Sequence, residues 1–305
     1  MTTAFLFTGQ GSQFAGMGKD LCEGFQVARQ TLEEADRALG ENITKLCFEG
    51  PEDKLALTTN TQPCTLAVSM AAFRALGKRP DLAAGHSLGE YSALCAAGAL
   101  GFADALKLVR ERAKRMQDAV PVGTGGMVAL LKVTVDEARQ ICAEVQSGIC
   151  EIANLNSPGQ VVLAGETKAM DEVVKKLGER RAKRLAVSVP FHCSLLKDAA
   201  VGFAELLDKT TMRDPAFPIW CNVDAKPVTT AAAARDALKR QFSGSVLWQT
   251  SIERMIQEAH VTRFVELGPK PTLTRMAVQI AAGIGVADVS TASATTSAEV
   301  RALLA

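Results

Sequence analysis

Gly85-His86-Ser87-Leu88-Gly89 fits the pattern G-x-S-x-G, a serine between two glycines on a sharp strand-to-helix turn. Small residues on either side relieve the crowding of such an elbow. The turn exposes the hydroxyl beside a helix N-terminus, where the amide of Leu88 points at a developing oxyanion. A serine hydroxyl is barely ionised near neutrality and needs a base. Three histidines are available. His86 adjoins Ser87, and neighbours on an elbow point apart, so a structural place beneath the turn suits it better. His260 ends the polar stretch Ile256-Gln257-Glu258-Ala259 and reads as a surface or capping residue. His192 follows the apolar run Leu185–Pro190, at a strand end where α/β proteins place functional groups. Elimination makes His192 the base; the alternative is a structural histidine at the edge of the core.

Two further features bear on an acyl-transfer site. Gly9-Gln10-Gly11-Ser12-Gln13 follows the first apolar run and begins like a dinucleotide loop, but position 14 is Phe and the third glycine is absent. It reads instead as a second oxyanion donor, with glycines letting the amide of Gln10 approach a carbonyl, or as a plain tight turn. Arg112 lies three residues after Val109 and four before Met116 on a helical stretch over Ala103–Val120. That spacing aims it at the apolar face of Ala105, Leu106, Val109, Ala113 and Met116, whereas Lys107, Arg110 and Lys114 lie opposite. An inward guanidinium needs an anion. Either an internal Asp or Glu supplies it, or the carboxylate of a substrate held in arginine's fork.

The elements that must position these residues alternate between strand and helix patterns, which implies a mainly parallel sheet covered by helices. Thr3–Phe7 reads as a strand, with helices over Met17–Leu21, Phe25–Leu39 and Gln62–Leu76; Asp81–Ala84 then leads into the elbow and a helix from Glu90. From about Gly126 to Pro190 the rhythm changes. Strands at Met127–Lys132, Glu151–Asn154, Gln160–Ala164 and Lys183–Val189 alternate with helices at Val135–Val145 and Ala169–Arg180. The order βαββαβ is the ferredoxin-like split motif. We therefore expect an α/β protein with a large α/β-hydrolase-like domain (residues 1–124 and 191–305) and an inserted small ferredoxin-like domain (125–190). Later come helices at Ser194–Leu207, Thr230–Gln241, Ser251–His260 and Leu273–Ile284, strands at Pro218–Val223 and Arg263–Glu266, and an Ala/Ser/Thr-rich stretch near Ser290–Thr296.

Bulk properties exclude several classes. A net charge of +1 over 305 residues gives no general attraction to nucleic acid or anionic membranes. The one cationic concentration is Lys175, Lys176, Arg180, Arg181, Lys183 and Arg184, either a steering patch for an acidic partner or a solvated face. The eight cysteines form no C-x-x-C pair and, with the histidines, no ligand spacing, so reduced thiols and no metal are expected. No apolar run reaches the ~20 residues needed to span a bilayer, and the N-terminus resembles neither a secretory signal nor a transit peptide. A cytoplasmic enzyme without cofactors is the expectation.

Eight stretches in order, FTGQGSQ (7–13), TQP (61–63), GHSLGEYSAL (85–94), RERAKRMQ (110–117), ANLNSPGQVVLAG (153–165), VPFHC (189–193), NVD (222–224) and ELGP (266–269), resemble the malonyl-CoA:acyl carrier protein transacylase family. The related acyltransferase domains of polyketide synthases share them, and the resemblance runs from about Ala4 to Ala281. It implies that Ser87 carries the acyl group as an ester, that His192 activates it, and that the amides of Gln10 and Leu88 form the oxyanion hole. It implies that Arg112 grips the free carboxylate of malonyl, and that bulky Phe191 excludes an α-methyl branch. It implies that a backbone carbonyl, placed at Leu247 in GSVLW, orients the histidine in place of an Asp. Malonyl-CoA and a phosphopantetheinylated acyl carrier protein are the implied partners, and a monomer the implied state. A free-standing polyketide acyltransferase with another acyl preference, a serine acyl hydrolase, and a carrier-docking protein with a dead site are the competing readings; Arg112 speaks against a simple hydrolase.

Overall fold

The computed structural model describes residues 1–187 and 189–305. Its strands, in chain order, are β1 (Thr2–Phe7), β2 (Leu82–Gly85), β3 (Gly125–Leu131), β4 (Cys150–Ser157), β5 (Gln160–Glu166), β6 (Ala182–Arg184), β7 (Ile219–Cys221), β8 (Lys226–Val228), β9 (Val261–Leu267) and β10 (Ser290–Ala294). Six of them form one sheet in the order β10-β9-β1-β2-β7-β8. Every neighbouring pair is parallel except the β7–β8 hairpin.

The period of a strand explains how this sheet gains two cores. Alternate side chains of β1 face opposite sides. Phe5 and Phe7 join the cluster under the helices Gln26–Leu39, Thr58–Leu76 and Phe102–Asp118. Ala4 and Leu6 join the cluster under Trp248–Gln257 and Leu273–Gly283. β2 splits likewise, with Ala83 on the first side and Leu82 and Ala84 on the second. A strand buried on both faces reads as a continuous apolar run, which is why Ala4–Phe7 was recognisable. Because β1 and β2 are parallel neighbours with Phe7 opposite Gly85, the loops after both emerge on the same edge. That edge brings Gly9–Gln10 beside Ser87, at the carboxyl ends where α/β sheets build sites.

The second sheet has the order β4-β5-β3-β6 and is antiparallel throughout. Helices Val135–Glu144 and Thr167–Leu177 pack on it through Ala138, Ile141, Ala169, Met170 and Val173. A capping box between Thr134 and Glu137 starts the first of them. Chain order and sheet order together are those of the ferredoxin-like motif, as the βαββαβ pattern predicts.

Some elements differ from expectation. β6 spans Ala182–Arg184 and covers only Lys183 and Arg184 of the strand predicted over Lys183–Val189; Ser188 lies outside the described residues. Ser290–Ala294, expected as a biased stretch, is edge strand β10, pairing with β9. Helices Ile43–Glu49 and Glu52–Ala56 fill a region without a predicted element. The helix placed at Gln62 begins at Thr58, so Pro63 lies inside it.

Candidate active site

The elbow depends on two glycines that leave no room for a side chain. A Cβ on Gly85 would stand 1.9 Å from the Gly89 carbonyl, and one on Gly89 would stand 2.0 Å from the Phe7 carbonyl oxygen. Backbone therefore packs on backbone where β1, β2 and the helix Gly89–Ala96 meet. Ser87 sits at φ 50° and His192 at φ 60°, both left-handed. Such a conformation costs a non-glycine residue about 1 kcal/mol or more and persists only where surrounding bonds over-determine it. For Ser87 those bonds are explicit. Its amide donates to Oδ1 of Asn222 at 2.7 Å, and its carbonyl accepts from Nε2 of Gln241 at 2.9 Å. Nδ2 of Asn222 also donates to the Gly85 carbonyl at 2.8 Å.

The Ser87 hydroxyl lies 2.7 Å from Nε2 of His192. Nδ1 of His192 lies 3.1 Å from the Gln241 carbonyl and 3.0 Å from the Gly244 carbonyl. Carbonyl oxygens only accept, so Nδ1 carries the hydrogen and Nε2 presents its lone pair to the serine. The orienting carbonyls are thus those of Gln241 and Gly244, which corrects the expectation of Leu247. The Leu247 carbonyl instead accepts from the amide and the hydroxyl of Ser251, as the cap of the helix Trp248–Gln257. Burial first, then the Arg112 charge, then His86, push His192 down to about 3. It is neutral at neutral pH and ready to accept a proton.

Arg112 is almost wholly buried, as its helix position predicts. Nη1 donates to Oε1 of Gln62 at 3.0 Å; Nη2 donates to Oε1 of Gln241 at 3.0 Å and to the Ser87 hydroxyl at 3.1 Å. Its Nε has no partner among the described residues. The internal acid that was one of its two expected partners does not pair with it: every hydrogen-bond acceptor around the guanidinium is neutral. The buried acid Glu90 acts on it only through space, so this cation has no anion in direct contact, and the Ser87 hydroxyl lies at its edge.

Gln10, Leu88, Gln62, Arg112 and His192 line one cleft with Ser87, and Met127, Asn154, Leu185, Val187 and Phe191 close its other side. The amides of Gln10 and Leu88 donate to nothing else among the described residues, so both are available to an oxygen in the cleft. His86 donates from Nε2 to Oδ1 of Asn156 at 2.9 Å and packs on Trp248. It serves as a strut to the small sheet, the structural place expected of it. His260 is exposed and is not among the residues that line this cleft.

Sequence reasoning missed three polar residues that tie the site together. Gln241 links Ser87, Arg112 and, by its carbonyl, His192. Asn222 pins the elbow. Glu90 accepts from the Asn222 amide at 2.9 Å and from Nε2 of Gln241 at 3.0 Å. Burial raises Glu90 to about 7, although bonds from Gln241 and Asn222 and the Arg112 charge pull the other way. Asn222 and Glu90 lie within quoted motifs, NVD and GHSLGE. Gln241 lies in none, and its one signal is a polar residue ending an otherwise inward-facing helix stripe of Ala234, Ala237 and Leu238. Among the described residues no group of three His, Cys, Asp or Glu is placed to hold a metal ion. No helix among them is long and apolar enough to cross a membrane.

Residues 4–297 match the acyl transferase domain family. The chain is 42% identical to the malonyl CoA-acyl carrier protein transacylase of Bacillus subtilis (strain 168) over 285 residues, covering 91% of this chain and 90% of that protein. It belongs to the malonyl CoA-acyl carrier protein transacylase family. Among solved structures, the acyl-carrier-protein S-malonyltransferase of Burkholderia pseudomallei 1710b superposes with a TM-score of 0.94 at 42% identity, covering all of both chains. A malonyl-transacylase solved with its type II polyketide synthase acyl-carrier protein gives the same TM-score and identity, covering 100% of this chain and 99% of that one. This transacylase-family chain is therefore an acyltransferase enzyme, and its fold is that of its family.

Proposed function

We propose that the chain transfers malonyl from malonyl-CoA to the phosphopantetheine thiol of an acyl carrier protein. The reading is carried by the buried Arg112, which has only neutral hydrogen-bond partners and lies 3.1 Å from the Ser87 hydroxyl. The malonyl carboxylate supplies the missing anion, and its fit to the guanidinium sets the thioester carbonyl against Ser87. Neutral His192 takes the hydroxyl proton as Ser87 attacks. The amides of Gln10 and Leu88 receive the oxyanion, each donor contributing about 3 kcal/mol. His192 then returns the proton to the departing CoA thiolate. In the second half the carrier thiol gives its proton to His192 and attacks the malonyl ester, and Ser87 leaves and recovers that proton, so the cycle is ping-pong with malonyl-Ser87 as its intermediate.

Phe191 restricts the volume next to the acyl α-carbon and favours malonyl over methylmalonyl. The two sheets work as two units, residues 1–124 with 191–305 and residues 125–190, with the acyl group between them. The enzyme acts as a cytoplasmic monomer. Its carrier protein serves fatty acid or polyketide synthesis; the likeness to the carrier-bound transacylase supports a carrier protein as acceptor in either case. In the cationic run, Lys176, Arg181 and Arg184 pair with Glu144, Glu137 and Asp171. Lys175, Arg180 and Lys183 are left to steer an acidic carrier.

Intact-mass measurement after incubation with malonyl-, methylmalonyl- and acetyl-CoA, with and without a carrier protein, tests this reading. The expected result is a malonyl adduct that disappears when the carrier is added. An adduct that is lost to water at the same rate without the carrier would make the protein a hydrolase instead.

A further inference from the structure

Of the eight cysteines, six are buried; Cys142 and Cys150 are only partly covered. Their sulfur atoms lie 3.6 Å apart, with the Cys150 thiol donating to Cys142. Cys142 ends on the helix Val135–Glu144 and Cys150 opens β4, so the pair spans a short turn at the surface. Both line an open groove whose floor includes Glu151, Gly244 and His192. A disulfide needs the sulfurs to close to about 2.05 Å, an approach of about 1.5 Å from where they stand.

What adjoins the pair gives the closure a consequence. The Glu151 carboxylate accepts from the amide of Ser194 at 2.8 Å and from its hydroxyl at 2.6 Å, two residues beyond His192. The Ile152 carbonyl accepts from the Ser245 hydroxyl, and the Ala153 carbonyl from the Val246 amide. That loop carries the Gly244 carbonyl that orients His192. The start of β4 thus holds the segments on both sides of the histidine.

We propose that Cys142 and Cys150 form a reversible oxidation site that acts on the catalytic dyad through β4. The oxidant is a peroxide. Thiolate Cys142 attacks one peroxide oxygen, the O–O bond breaks, and the departing hydroxide takes up the proton that the Cys142 thiol gave up and leaves as water, with Cys142 now a sulfenic acid. The Cys150 sulfur then attacks the Cys142 sulfur, and the Cys150 proton leaves with the hydroxyl as a second water. Sulfur is oxidised, peroxide oxygen is reduced, and a dithiol reductant reverses the bond. The assignment of roles follows the hydrogen bond. It holds Cys142 below the ordinary thiol value and raises Cys150, so Cys142 is the nucleophile and Cys150 the resolving thiol. Closing the bond draws Glu151 and Ile152 with Cys150, and a displacement of about 1 Å at reacting groups can cost about 10²-fold. The coupling, though not the oxidation, rests on His192 acting as the base.

The test treats the full chain with graded hydrogen peroxide, then measures intact mass, thiol-containing peptides and malonyl transfer before and after dithiothreitol. The expected result is loss of two hydrogen atoms localised to a Cys142–Cys150 peptide, with transfer falling roughly tenfold or more and recovering on reduction. Cys142→Ser and Cys150→Ser should keep the untreated rate and escape the reversible loss. Three results overturn the proposal: both thiols stay alkylatable after treatment, the bond forms while transfer is unchanged, or the serine variants lose activity as the parent does. An untreated enzyme that takes no malonyl would instead sink the functional reading, and the mass measurement would still judge the oxidation.

Discussion

Replacing Arg112 by alanine separates its two duties, because only one depends on the acyl group. Toward malonyl, the guanidinium offers two charge-assisted bonds to the substrate carboxylate, at about 1.5–3 kcal/mol each. Their sum, about 3–6 kcal/mol, is roughly 10²–10⁴-fold in kcat/KM for malonyl-CoA. Toward the protein, the same group donates to Gln62, Gln241 and the Ser87 hydroxyl, and these bonds are lost whatever the acyl group. The measurement is therefore a ratio. kcat/KM for malonyl-CoA and for acetyl-CoA is taken with the parent and with Arg112→Ala, at fixed carrier concentration. Malonyl should fall by the full factor and acetyl by the shared part only, so that the preference for malonyl collapses by about 10² or more. Equal loss for both substrates would refute the argument and make Arg112 a purely structural cation.

Ser87→Ala should leave no covalent acyl group on the protein by intact mass, and an adduct surviving on the variant would exclude Ser87 as the nucleophile. The His192 shift has a sign that can be checked. Its folded value of about 3 lies below the ordinary histidine value of about 6.5, so the active neutral form survives acid. kcat/KM should stay nearly flat from about pH 7 to about pH 5, where an unperturbed histidine would lose about thirty-fold; an acid limb near 6.5 would contradict this. The same shift means that the unfolded chain takes the proton first, so stability from this group is lost as pH falls below about 6.5. Gln241→Ala removes one hydrogen bond from each of Arg112, Ser87 and Glu90, each of which keeps another partner. At about 1 kcal/mol for each lost bond it should destabilise the fold by about 3 kcal/mol in urea unfolding. A change under about 1 kcal/mol would show that water replaces the side chain freely.

Much of this site is legible because side-chain type and backbone geometry agree. Gly85 and Gly89 are steric necessities, and Arg112 declares its direction by its place on an apolar stripe. The split βαββαβ pattern survives because each helix and strand keeps its own period. What escapes is carried by groups without a residue signature. A carbonyl that orients a histidine belongs to any residue, so placing it at Leu247 missed Gln241 and Gly244. β10 escapes because Ser290, Thr291 and Ser293 give an edge strand no apolar alternation. The Cys142–Cys150 approach escapes because an eight-residue separation across a helix end says nothing of distance until the turn is folded.

The two carbonyls behind His192 have a thermodynamic consequence. A carboxylate in their place would stabilise the imidazolium strongly and let the site store a proton; the two carbonyl oxygens favour the charged form only weakly, and burial with a guanidinium nearby outweighs them. On the proposed cycle the proton is therefore on loan for the lifetime of one tetrahedral intermediate, and it goes to the CoA sulfur in one half-reaction and to the Ser87 oxygen in the other. Donor and acceptor are both thiols, so the catalyst sees nearly the same task in each direction. Such a site has no built-in arrow: it equilibrates acyl groups between carriers, and the direction of flow is set by whatever consumes the product.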